Sequence, residues 1–122
     1  MTTLSSNSIF KKTYSIEKRI KESQNIIAKY PDRIPVICEK NSKNNIPDME
    51  KSRLLVPRDF KLADLITIIR NKLKLDPTYA LFVTIDNNIP SSTCLMSDLY
   101  NDYSDADGFL YVIYSQENTF GI

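Results

Sequence analysis

The chain has 122 residues, of which 42% are hydrophobic, 25% charged and none histidine. That length fits one domain with a core of its own, and the missing histidine removes Ser-His-Asp and Cys-His nucleophiles along with the commonest metal ligand. Cys38 and Cys94 lie far apart with no CxxC pair, which leaves a zinc site short of ligands and speaks against a disulfide framework. An independent enzyme is therefore not expected, nor a bound metal or cofactor. No apolar run approaches the ~18 residues of a membrane span, and the N-terminus lacks a signal-peptide core. Membrane contact is expected to be peripheral or through an attached lipid.

The net charge of +1 conceals a division. All 16 Lys and Arg fall between Lys11 and Lys74, among eight acids, whereas the last 48 residues hold seven acids and no base. Folding must bring these halves together across a shared core, and the basic half offers a face to acidic peptides or anionic headgroups. A nucleic-acid binder would carry a higher overall pI and basic runs interleaved with aromatics, so no nucleic-acid partner is expected.

Residues 1–8 (MTTLSSNS) are small and polar and read as a flexible cap. Residues 9–30 read as an N-terminal helical segment, with Ser15 as a cap and Ile16, Ile20, Ile27 and Tyr30 at roughly helical spacing, stopped by Pro31. Ile34 to Glu39 is a short β-branched run that reads as a buried strand. Residues 40–52 form a polar loop, and Leu54, Leu55 and Val56 a second strand ended by Pro57. Leu62, Leu65, Ile66, Ile69 and Leu73 lie on one face of a helix over 62–73. Ala80 to Ile85 reads as a strand and Asp86-Asn87-Asn88 as a turn. Met96, Leu99 and Tyr103 mark a short helix, and Phe109 to Tyr114 a last apolar strand, expected beside the first in the middle of the sheet. Asp98, Asp102, Asp105 and Asp107 lack EF-hand spacing and read as a solvated acidic face.

The order is an α+β pattern: two strands, a helix across one face and two further strands, a β-grasp with a four-stranded mixed sheet over 31–115 and a tail at 116–122. An added N-terminal helical segment covers another surface of the same single domain.

Several stretches then carry a resemblance. Ile16-Glu17-Lys18-Arg19 leads to Lys29-Tyr30-Pro31-Asp32-Arg33-Ile34-Pro35-Val36-Ile37, followed by Leu54-Leu55-Val56-Pro57, Ile68-Ile69-Arg70, Asn87-Asn88-Ile89-Pro90, Met96, Leu99-Tyr100, Gly108-Phe109-Leu110-Tyr111, Tyr114-Ser115 and Phe120-Gly121. This resembles the autophagy ubiquitin-like modifiers, the GABARAP and microtubule-associated light-chain family, over residues 9 to 122. The resemblance implies a ubiquitin-like fold, trimming by a cysteine protease after Gly121 with removal of Ile122, and passage through activating and conjugating enzymes to the amine of phosphatidylethanolamine. A Cβ-free glycine leaves the carbonyl unhindered for acyl transfer, and Phe120 offers an aromatic handle. Two acyl chains suffice for stable anchoring. The implied setting is the cytoplasm and, after lipidation, the autophagosomal membrane, with a monomeric soluble form.

The family also binds extended W/F/Y-x-x-L/I/V segments, including those of cargo receptors, along the edge of the second strand. Carried over, the aromatic pocket is Glu22, Ile26, Pro35, Arg53, Leu55 and Phe109, and the aliphatic pocket is Leu54, Val56, Pro57, Phe60, Leu65 and Ile68. Independently, Ile26 and Ile68 fall off the main apolar faces of their helices, and the adjacent Leu54 and Leu55 must point to opposite faces of a strand. Arg33, Lys51 and Arg70, with Arg53, form a basic rim for acidic flanking residues. Leu54 stands where the family often has an aromatic, Lys61 where a capping Thr is frequent, and Thr84 and Asp86 interrupt a strand that is more aromatic in many relatives. The competing readings are an unconjugated adaptor using the same groove, for peptide, trafficking or microtubule partners, and a domain held on anionic membranes by the basic half.

Overall fold

A computed structural model describes residues 8–41 and 46–116. Helix α1 (Ile9–Thr13) and helix α2 (Ile16–Lys29) precede strand β1 (Arg33–Lys40) and strand β2 (Arg53–Pro57). Helix α3 (Leu62–Leu73), strand β3 (Phe82–Thr84), helix α4 (Met96–Tyr103) and strand β4 (Leu110–Ser115) complete the order. The four strands form one mixed sheet in the order β2-β1-β4-β3. β1 runs antiparallel to β2 and parallel to β4, with Val36 opposite Leu110 and Lys40 opposite Tyr114. The last strand thus lies beside the first, as its unbroken apolar run leads one to expect. Among the described residues no helix is long and apolar enough to cross a membrane.

Strand alternation divides the core in two. Ile34, Val36 and Cys38 of β1, Val56 of β2 and Leu110, Val112 and Tyr114 of β4 pack with Leu62, Leu65 and Ile69 of α3 and with Met96 and Leu99 of α4. On the other face Ile37, Phe109 and Tyr111 form a smaller cluster with Phe10 of α1, and Tyr14 and Ile26 close its margin. The turn after Ile85 is a two-residue connection. Asp86 and Asn87 take φ of 51° and 65°, and Ile85 and Asn88 exchange both backbone hydrogen bonds at 2.9 Å. Asp and Asn tolerate this left-handed backbone, which suits a tight reversal.

The N-terminal helical segment is two helices. Ser8 Oγ accepts the Lys11 N–H and Ser15 Oγ that of Lys18, each at 3.2 Å, so each serine satisfies an amide that has no partner inside its helix. Ser8, grouped by composition with the flexible cap, is instead the buried start of α1. The buried positions of α2 are Arg19 and Ser23, while Ile16 and Tyr30 of the expected apolar row are exposed. The reason is a buried carboxylate: Asp107 accepts from Arg19 Nη1 at 2.7 Å, from the Tyr111 hydroxyl at 2.6 Å and from the Phe109 N–H at 2.9 Å. Burial opposes the charged forms here. Nevertheless Asp107 and the Tyr111 hydroxyl together raise the pKa of the Arg19 guanidinium, and burial with the Asp107 carboxylate pushes the Tyr111 hydroxyl up. The expectation of a solvated acidic face is therefore corrected at Asp107, which is fully buried, and at Asp105, which is half-buried and bonded to Lys11 Nζ at 2.6 Å.

Gly108 makes this approach possible. Its φ is +90°, and a Cβ at that position would collide with the Ser23 Oγ. The Ser23 hydroxyl donates to the Asp107 carbonyl, closing α2 onto the loop before β4. At the start of α3 a lysine side chain has no acceptor to offer. Half of a capping box remains, in which the Lys61 N–H donates to Asp64 Oδ2 at 2.8 Å.

Candidate functional site: the groove beside β2

β2 is an edge strand, paired with β1 on one side and with no strand on the other among the described residues. Its backbone groups on that side are the elements an added peptide strand would bond. The register sets which side chains flank the edge. Pro35 lies opposite Leu55, Val36 opposite Leu54 and Ile37 opposite Arg53. Leu54 joins the α3 side of the core, and its neighbour Leu55 takes the opposite face, toward α2.

The α2 side gathers Glu22, Ile26, Pro35, Arg53, Leu55 and Phe109. Glu22, Ile26 and Leu55 are half-buried, Pro35 is buried and Arg53 exposed. Phe109 is 1% exposed, because the Phe10 ring meets it edge-on at 5.2 Å. It forms the floor of this region, out of reach from its mouth. Arg53 is held by several partners at once. Its Nη1 lies 3.1 Å from Glu22 Oε2 and its Nη2 donates to the Tyr14 hydroxyl at 3.1 Å. Its guanidinium stacks 5.1 Å from the Phe10 ring centre and 5.2 Å from that of Tyr14, a geometry in which a weakly hydrated planar cation is attracted by a ring face. Arg53 thus links α1, α2 and β2. Along α2 runs an open depression of about 410 Å³ lined by Lys18, Lys21, Glu22, Asn25, Ile26, Lys29 and Tyr30.

On the α3 side, Val56 and Leu65 are fully buried in the main core and act as backing. Leu54 and Phe60 are half-buried and packed against that core, Pro57 is half-buried at the end of β2, and Ile68 is half-buried on α3 outside the cluster. Of the basic residues, Arg33 and Lys51 are exposed. Arg70 is half-buried, and its buried Nη1 has no hydrogen-bond partner among the described residues. Phe120, Gly121 and Ile122 lie outside the described residues.

Sequence reasoning missed the part that Phe10 and Tyr14 take in this site. The available signal was the i, i+4 spacing of two aromatics next to lysines (Phe10 and Tyr14), which marks a helix docking an aromatic edge rather than a polar lead-in. Among the described residues no cluster of His, Cys, Asp and Glu could hold a metal ion. Burial drives the Cys38 thiol up to about 12, so it stays protonated and unreactive.

Comparison with known proteins bears on this arrangement. The family model described as "Autophagy protein Atg8 ubiquitin like" matches residues 18–121. Autophagy-related protein 8h of Arabidopsis thaliana is 52% identical over 112 residues, covering 92% of this chain and 94% of that protein. Autophagy-related protein 8 of Mycosarcoma maydis is 48% identical over 114 residues, covering 93% and 97%. Among solved structures, Trypanosoma brucei ATG8 superposes with a TM-score of 0.86 at 33% identity, covering 88% of this chain and 93% of that one. Plasmodium falciparum Atg8, solved in complex with a Plasmodium falciparum Atg3 peptide, gives 0.83 at 33% identity, covering 90% and 97%. With a sheet, a helical pair and a sequence that agree along nearly its whole length, this chain belongs to the Atg8 family of autophagy ubiquitin-like proteins.

Proposed function

We propose that this chain is a modifier joined through Gly121 to the amine of phosphatidylethanolamine, and that once anchored it recruits cargo receptors through the groove beside β2. The observation that carries the first part is the family match, which runs through Gly121. A protease hydrolyses the Gly121–Ile122 bond with water. An activating enzyme then converts the freed carboxylate to an enzyme-bound acyl thioester at the expense of a nucleoside triphosphate. After transfer to the conjugating enzyme the lipid amine attacks the thioester carbonyl, the amide forms and the enzyme's thiolate leaves. The protein is the substrate of this chemistry, and the catalytic groups belong to those enzymes. A relative solved with an Atg3 peptide supports a conjugating enzyme among the partners. The groove reading rests on the unpaired edge of β2, with Leu55 and Leu54 on its opposite faces. Before conjugation the protein belongs to the cytoplasm as a monomer, and afterwards to the autophagosomal membrane.

Intact mass of the soluble and membrane pools tests the first part. The membrane pool is expected to end at Gly121 and to weigh one phosphatidylethanolamine more. Gly121→Ala is expected to fold, stay unmodified and leave membranes in a high-salt wash. A single unmodified species in both pools would overturn conjugation and favour the unconjugated adaptor. For the groove, Leu55→Ala with Ile68→Ala should weaken a W-x-x-L peptide by about tenfold or more in calorimetry while conjugation continues. An unchanged affinity would place the peptide elsewhere.

A further inference from the structure

Tyr14 stands between α1 and α2, and its backbone is held from both sides. Its N–H donates to the Phe10 carbonyl at 3.1 Å, which ends α1. Its own carbonyl accepts Arg19 Nε at 3.1 Å, and Arg19 is fixed in turn by the buried Asp107. The half-buried Tyr14 ring lies 5.1 Å from that of Phe10, the ring that meets Phe109 at the floor of the α2 side. Arg53 is the outermost member of this stack. Its guanidinium sits 5.2 Å from the Tyr14 ring centre, and its Nη2 donates to the Tyr14 hydroxyl.

We propose that Tyr14 is a positioning residue for peptide recognition, holding Arg53 ready for an acidic side chain just ahead of the peptide's aromatic anchor. The inference rests on the groove reading above. A peptide with its aromatic anchor beside Arg53 and Leu55 and its aliphatic anchor beside Pro57 and Phe60 runs in the direction of β2. The residue before the aromatic anchor then passes Arg53. Glu22 and Tyr14 engage two of the five N–H donors of that guanidinium. Its side chain is 45% exposed, so the other donors are open to a carboxylate. The two holds differ in kind. Glu22 neutralises the charge that it holds, and an ion pair this exposed fixes a side chain only weakly. Tyr14 fixes the guanidinium through its ring and hydroxyl and leaves the positive charge in place for a ligand. An arginine held in this way loses less side-chain freedom on binding than one free in solvent.

Calorimetry of the full chain with two peptides, D-W-x-x-L and N-W-x-x-L, tests this. The unaltered protein should bind the acidic peptide about fivefold more tightly. Tyr14→Ala should bring that ratio below about twofold while the neutral peptide keeps its affinity. Tyr14→Phe keeps the ring and loses the hydroxyl, so its ratio should fall between the two, and it can be read even where Tyr14→Ala loosens α1. Arg53→Lys should match Tyr14→Ala, and the double variant should show no further loss. A ratio unchanged in both Tyr14 variants, or a loss shared equally by the two peptides, would overturn the proposal and leave Tyr14 a purely structural residue. So would an unaltered protein that binds both peptides alike. An unaltered protein that binds neither would instead overturn the groove reading itself.

Discussion

Arg19 and Asp107 stand 88 positions apart and meet at 2.7 Å beneath α2, with side-chain exposures of 10% and 0%. This one pair joins the basic N-terminal part of the chain to its acidic C-terminal part and fixes which face of α2 is inward. Replacing Asp107 by Asn would leave the Arg19 charge buried without a counter-charge, a change that costs about 3–5 kcal/mol when one member of a buried pair is removed. Urea unfolding of Asp107→Asn should show that loss with an unchanged slope. A loss below about 1 kcal/mol would mean that Arg19 swings into solvent when released.

The neighbouring pair, Lys11 with Asp105, gives α1 a dependence on acidity. Burial alone would raise the Asp105 pKa, yet the Lys11 ammonium and the Asp107 N–H hold it below its ordinary value. A carboxyl depressed in the folded state contributes stability above its unfolded pKa, about 3.9, and loses that contribution as pH falls through the folded value. The protection of the Tyr14 amide from hydrogen exchange, referred to the intrinsic rate at each pH, should therefore fall below about pH 4, by an amount worth less than about 1 kcal/mol. Lys11→Met should flatten that dependence, and an identical profile in the variant would assign the effect to another carboxyl.

Thr84 is a residue whose replacement should improve the protein. Its side-chain hydroxyl is buried in β3 and has no hydrogen-bond partner among the described residues. Thr84→Val keeps the shape and removes a buried polar group, so stability should rise by about 1 kcal/mol in urea unfolding. A fall instead would show that the hydroxyl is bonded in solution.

How far the sequence could be read depends on whether a segment's partners are apolar. α3 was legible to the residue, because Leu62, Leu65 and Ile69 pack against a sheet and hydropathy alone reports such packing. The central place of β4, the turn at Asp86 and Asn87, and the opposed directions of Leu54 and Leu55 were legible for similar local reasons. The inward face of α2 was not, since it is held by Arg19 and Ser23, and a periodicity of apolar residues counts both as solvent-facing. The same blindness made Asp107 look like a surface acid. In the groove, the pocket residues were named from the resemblance alone. The layer beneath them, where Phe10 covers Phe109 and Arg53 is clamped between Glu22 and two rings, arises from contacts across the chain that no spacing announces.

The parallel pairing of β1 with β4 also governs how the molecule is made. The first strand finds its central neighbour only in the last, some 70 residues on, so the largest buried surface depends on closing nearly the longest loop available. α3 and the β3 turn can form early from local contacts, whereas Val36 and Cys38 stay without their β4 partners until Leu110–Ser115 has been synthesised. Folding should accordingly be slow for a chain of this size and sensitive to substitutions in β4 through the rate of folding more than of unfolding. A nascent chain halted before β4 would display an unfinished strand edge, the form most exposed to aggregation.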